Sequence, residues 1–194
     1  TDVAAVTLNN TPPNANAGAD MILTCTVTSL NLAGSSSTGG ATFAWAGPAI
    51  TAGGTTATPT VNGAGLYTIT VTNPTNGCTA TDQANVTLNN TPPNANAGPD
   101  QILNCTIATV NMAGSSSTGG ARFAWSGPSI TAGGTTATPT VGGAGLYTMT
   151  VTDPSNGCTS TDQANVTMNA TLPNANAGAD QILNCTVTSL NMSG

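Results

Sequence analysis

The 194 residues carry one basic side chain, Arg122, and seven acidic ones, all Asp, with no His, for a net charge of −6. Ordinary domains are about a quarter charged; at 4% charged, this chain lacks the basic footprint that nucleic acid or an anionic membrane surface would need. Without His, Lys or Glu it also lacks the usual general bases, and no apolar run approaches the roughly 18 residues of a membrane-spanning helix, so neither an enzyme nor a membrane-inserted segment is expected.

Self-similarity organises the rest. Residues 11–90 align without gaps on residues 91–170 with 62 of 80 positions the same. The chain therefore reads as a window on a longer array. Residues 1–10 would supply the last strand of a preceding repeat, 11–90 and 91–170 two whole repeats, and 171–194 the opening strands of a third.

In chain order, one repeat shows short strand patterns between turn-forming residues and nothing of helical period. Ile22 to Thr24 and Thr26 to Ala33 are expected to form a first pair. GSSSTGG then makes a flexible turn before Thr42 to Trp45, where Phe43 and Trp45 share a face. After Gly47-Pro48 comes the Thr-rich TAGGTTATPTV. The clearest strand follows: in LYTITVT, Tyr67, Ile69 and Val71 point one way and Thr68, Thr70 and Thr72 the other. The turn Asn73-Pro74-Thr75-Asn76-Gly77 leads to a last strand in which Ala84, Val86 and Leu88 alternate with polar residues. About seven strands in 80 residues predict an all-β architecture of tandem immunoglobulin-like sandwiches. The joint NNTPPNANAG, with its paired prolines, predicts a semi-rigid connection, so that successive domains form a rod.

The combination of AGAD at 17–20, LNLAGSSS at 30–37, FAW at 43–45 and AGLYTITVTN at 64–73 resembles the PKD-type immunoglobulin-like repeat. The versions it looks most like occur in very long bacterial surface proteins, including gliding and adhesin-like filaments. The resemblance covers both full repeats. It departs from the PKD pattern after Trp45, where AGPAI stands in place of a Phe-Gly-Asp segment.

Cysteines recur at alternating spacings of 53 and 27: Cys25, Cys78, Cys105, Cys158 and Cys185. In a chain that reads as secreted, such a pattern indicates disulfides, and none of these spacings resembles a zinc ligand set. In an immunoglobulin-like sandwich the turns holding Cys25 and Cys78 lie at opposite ends of the domain, farther apart than the roughly 7 Å a disulfide tolerates between Cα atoms. In a head-to-tail array, the first turn of one repeat instead faces the late hairpin of the next. The preferred pairing is therefore Cys25 with Cys158 across the repeats, with Cys78, Cys105 and Cys185 bonded to further copies. The alternative is pairing within repeats, Cys25 with Cys78 and Cys105 with Cys158.

Trp45, Tyr67, Trp125 and Tyr147 could line a sugar-binding face, but with so few large side chains they are assigned to the cores, with Tyr67 placed as a tyrosine corner. Asp20 with Asp82 and Asp100 with Asp162 are candidate calcium ligands at the joints, although two carboxylates per repeat are few for that ion; no cofactor is assigned. Among the Asn-x-Ser/Thr sequons, Asn85, Asn89, Asn165 and Asn169 are candidate glycan sites. The function expected is a structural repeat of an extracellular bacterial filament or giant adhesin shaft, partnered by further copies, neighbouring chains or glycans. The alternatives are a carbohydrate-binding spacer and, less favoured because its Thr residues are assigned to separate short strands, an ice-binding surface.

Overall fold

The computed structural model describes residues 2–192, and among them there are fourteen strands and no helix. Repeat 1 holds β1 (Met21–Thr24), β2 (Leu30–Asn31), β3 (Thr42–Ala46), β4 (Ile50–Ala52), β5 (Thr60–Val61), β6 (Gly65–Thr72) and β7 (Thr79–Asn89). Repeat 2 returns the same seven: β8 (Gln101–Asn104), β9 (Val110–Asn111), β10 (Arg122–Ser126), β11 (Ile130–Ala132), β12 (Thr140–Val141), β13 (Gly145–Thr152) and β14 (Thr159–Asn169). In each repeat a four-stranded sheet, in the order β1-β7-β6-β3, accompanies a three-stranded sheet, β2-β5-β4. Two sheets enclosing one core per repeat make the chain a tandem of immunoglobulin-like β-sandwiches.

Alternation along β6 sets the core. Tyr67, Ile69 and Val71 are fully buried. Trp45 stands opposite Ile69 and Phe43 opposite Val71, while the small Ala84 faces Tyr67 and leaves room for its ring. Leu23, Leu32, Val61 and Val86 close the remaining space. Repeat 2 is filled by the equivalent side chains, with Met112 and Met149 in place of Leu32 and Ile69, swaps of similar volume that such a core accepts. Gly47 passes close to this core: a Cβ there would lie 2.3 Å from Tyr67 Cδ1.

The other face of the larger sheet gathers threonines. Thr70 stands opposite Thr81, and Thr72 opposite both Thr79 and Thr42. These residues are consecutive in space although distant in sequence, because β3, β6 and β7 share one sheet and side chains of one parity leave it on one side. The Thr residues lie on separate strands, as expected, and the order of β3, β6 and β7 in the sheet brings them to one face.

Further expectations change. Ile22–Thr24 and Thr26–Ala33 do not pair with each other; β1 joins β7 in parallel, with Thr24 opposite Asn89, whereas β2 joins β5 in the smaller sheet. Thr24 causes this. Its Oγ1 accepts the N–H groups of Thr26 and Val27, and its own N–H donates to Val27 O, so the chain bends at Cys25 and crosses between sheets. GSSSTGG is also not a free turn: Asn14 Oδ1 accepts the Ser37 N–H at 2.7 Å and both the Ser36 and Ser37 hydroxyls.

Residues 2–10 and 171–192 hold no strand; the last strand expected at 1–10 and the opening strands expected at 171–194 were assigned to neighbouring repeats, and residues 1, 193 and 194 lie outside the described residues. A strand needs a ladder partner. In repeat 1 the corresponding strand is held by β6 along Thr79–Val86 and by β1 along Val86–Asn89. The counterparts of residues 181–184 in repeats 1 and 2 pair with β7 and β14. Leu88 differs too: it lies beyond the core on the inward parity of β7 and is half exposed, at 52%.

Candidate functional site

The chemistry of this chain is concentrated at the joint between the repeats. Because β1 runs parallel to β7, its end at Thr24 reaches Asn89 and leaves Cys25 at the C-terminal end of repeat 1. Cys158 directly precedes β14, at the N-terminal end of repeat 2. The two ends meet, and Cys25 and Cys158 form a disulfide with Cα atoms 5.1 Å apart at a sequence separation of 133.

The pairing within repeats is not made. Cys78, Cys105 and Cys185 are free thiols, Cys78 half-buried and the other two exposed. Geometry explains why Cys25 cannot reach Cys78. The 11 residues of β7 separate the two positions, roughly 36 Å at the rise of an extended strand, several times the span of a disulfide.

Around the disulfide, the turn Asp153–Cys158 is held rigidly and presented to repeat 1. Gly157 sits at φ +71°, a left-handed conformation that favours glycine, and its N–H donates to Asp153 O at 2.8 Å. Asn156 supplies the polar part of the contact. Its Nδ2 donates to Asn89 Oδ1 and to Thr91 O, both at 3.0 Å, while its Oδ1 accepts the Cys158 N–H at 2.9 Å. With three partners it can be 3% exposed without leaving a polar atom unpaired. Gly157 packs against Thr26 so closely that a Cβ on it would lie 2.5 Å from Thr26 Cγ2.

Asn156 and its equivalent Asn76 are functional residues that the sequence reading did not single out. The available signal was the Asn-Gly-Cys triplet, present once in each full repeat at the same place. Asn76 makes the same bonds one repeat earlier, donating to Asn9 Oδ1 at 3.1 Å and to Thr11 O at 2.9 Å.

The other candidate residues have structural surroundings. Trp45 and Trp125 are each 8% exposed and donate their indole N–H groups inward, to Thr56 O and Thr136 O at 3.0 Å. Tyr67 and Tyr147 are fully buried, and their hydroxyls donate to Gly63 O and Gly143 O at 2.8 Å, tying the loop before the strand to the core. Asp82 Oδ2 accepts the Ala17 N–H at 2.8 Å, and Asp20 Oδ1 the Asn85 N–H at 2.8 Å. Asp162 and Asp100 repeat this with Ala97 and Asn165. The Ala17 and Ala97 amides, helped by those of Gln83 and Gln163, hold the Asp82 and Asp162 carboxyls below the ordinary value of 3.8. These carboxylates therefore anchor the opening of each repeat to its last strand. Among the described residues, no group of three or more acidic or cysteine side chains is arranged to hold a metal ion. Asn85 and Asn165 are half-buried within β7 and β14; Asn89 and Asn169 are exposed at the strand ends, Asn89 with its oxygen committed to Asn156.

No family profile and no curated protein matches the chain. Among solved structures, it is similar to an I-band fragment of titin, at 16% identity and a TM-score of 0.42 over 82% of its length. Similar too are Sidekick-1 immunoglobulin domains 1 to 5, at 10% identity and 0.41 over 84%, and three N-terminal domains of the bacteriophage RB49 outer capsid protein Hoc, at 14% and 0.45 over 81%. The chain spans 66%, 40% and 58% of those three chains.

Proposed function

We propose that this chain is part of the shaft of an extracellular bacterial filament or giant adhesin, built from PKD-type repeats, with a structural rather than catalytic role. The observation that carries the reading is the covalent joint. Cys25 and Cys158 belong to different repeats, so their bond adds nothing to either core directly and fixes one domain to the next. Bonds of this kind persist in oxidising compartments outside the cytosol. In the 80-residue register Cys78, Cys105 and Cys185 then pair with further copies, and each joint is closed the same way.

The surface suits close lateral packing. Only 4% of residues are charged, and the outer Thr face of the larger sheet presents hydroxyls and methyl groups that a neighbouring chain can cover without burying charge. Glycans at Asn85, Asn89, Asn165 or Asn169 would supply hydration where neighbours are absent. A carbohydrate-binding role would have to use some other surface than Trp45 and Trp125, since both rings are committed to the cores.

Electron microscopy of the material purified from its source tests the reading. Long filaments with an axial repeat close to the length of one sandwich are the expected result. Dispersed globular particles under oxidising conditions would overturn it.

A further inference from the structure

From the path of the chain, we infer that the Cys25–Cys158 disulfide is a strain limiter: it carries tension around the cores of both repeats, so that the linked pair cannot lengthen by unfolding. This rests on the position of the bond and goes beyond the filament reading, on which it does not depend.

Consider tension applied along the chain from both ends. Without the disulfide, force enters repeat 1 at the start of β1 and leaves at the end of β7. Those two strands are parallel and paired over four residues, Met21–Thr24 against Val86–Asn89. The pull would shear that ladder and, once it parted, the repeat would pay out as extended chain. Repeat 2 contains the same weak point, β8 against β14 over Gln101–Asn104 and Val166–Asn169.

With the disulfide, force passes along β1 to Cys25, crosses 5.1 Å between Cα atoms, and continues from Cys158 along β14. Both strands on this route are already extended. No hydrogen-bond ladder has to transmit the load, because each strand is pulled at its two ends along its own axis. Everything between the cysteines, which includes β2 to β7 and β8 to β13, lies off the path. That bypass removes 133 positions from the extensible length, roughly 460 Å of contour at full extension.

The same geometry continues in the repeat register. Cys185 stands 27 positions after Cys158, in the place Cys25 holds in repeat 1. In an array closed at each joint, load would run over 27 residues for every two repeats, roughly 90 Å of backbone. β14 alone, at 11 residues, extends roughly 36 Å across one repeat. Two crossings therefore use most of the available contour, and the slack is small.

Single-molecule force spectroscopy on the 194-residue chain, held by handles at its two ends, tests this directly. The remaining thiols, Cys78, Cys105 and Cys185, are replaced by Ser to keep molecules separate. Under oxidising conditions the chain should stretch without unfolding events from either core. After reduction with a dithiol it should show two events and lengthen by roughly 460 Å more. Cys25→Ser/Cys158→Ser should give the long extension without reductant; if that variant fails to fold, the reduced parent makes the same comparison. Equal extension before and after reduction would overturn the inference. So would alkylation of Cys25 and Cys158 in the native, unreduced protein. Neither result would bear on whether filaments are seen in the microscope.

Discussion

One turn occurs twice in this molecule and has two environments. Asn73-Pro74-Thr75-Asn76-Gly77-Cys78 and Asp153-Pro154-Ser155-Asn156-Gly157-Cys158 close with the same two backbone bonds, at 2.9 and 2.8 Å in each copy, and both place their glycine at φ +71°. Gly77 nevertheless has nothing within 4 Å of where a Cβ would stand, whereas Gly157 is against Thr26. Cys78 is a half-buried free thiol and Cys158 is a disulfide partner 2% exposed. Local sequence therefore builds the turn, and docking of a preceding repeat turns it into a joint.

The sharpest way to break this comparison is at the glycines. Gly77→Ala should cost about 1 kcal/mol, from backbone strain alone. Gly157→Ala carries the same strain plus the collision with Thr26, and should cost about 3 kcal/mol in all. Chemical denaturation of the two variants checks this, and equal losses would show that the joint is not packed as described.

A smaller contrast is expected at the asparagines. Asn156→Ala removes a buried side chain together with its three hydrogen bonds, for a loss of about 2 kcal/mol, while Asn76→Ala should lose about 1 kcal/mol because Asn76 is only half-buried and solvent can replace its bonds. Hydrogen exchange of the Cys158 and Cys78 amides, which those side chains accept, would report each site separately.

The smallest effect should be the same in both repeats and so acts as the control. The Asp82 and Asp162 carboxyls are depressed below 3.8 by backbone amides of their own repeat. A depressed folded value means that the stabilisation is complete above pH 3.8 and is lost as pH falls below it toward the folded value. Thermal melts should thus be flat from neutral pH down to about 5 and decline below about 4, with Asp82→Asn and Asp162→Asn weakening that decline equally. A difference between the two would mean that the joint reaches further into repeat 2 than Asn156 and Cys158.

Much of the fold was legible because it depends on local alternation. Tyr67, Ile69 and Val71 declared the inward face of β6 by period alone, and the buried strand follows that pattern residue by residue. The joint was legible only in part. Regular cysteine spacing and the opposite placement of two turns favoured Cys25 with Cys158, but pairing within repeats stayed open because strand lengths were not fixed by the pattern; the 11 residues of β7 close that question. The parallel placement of β1 could not be read in advance, since MILT carries no mark of which neighbour it will join.

By itself, the sequence determined the repeat, the alternation of the longer strands and the scarcity of charge, all properties of residues near one another in the chain. Tertiary structure alone decided that Thr42, Thr72 and Thr79 share a face, that Asn156 holds Asn89 and Thr91, and which cysteines meet. The reason is physical: periodicity fixes which way a side chain points, whereas only the packing of sheets and the docking of one repeat on the next fix what it points at.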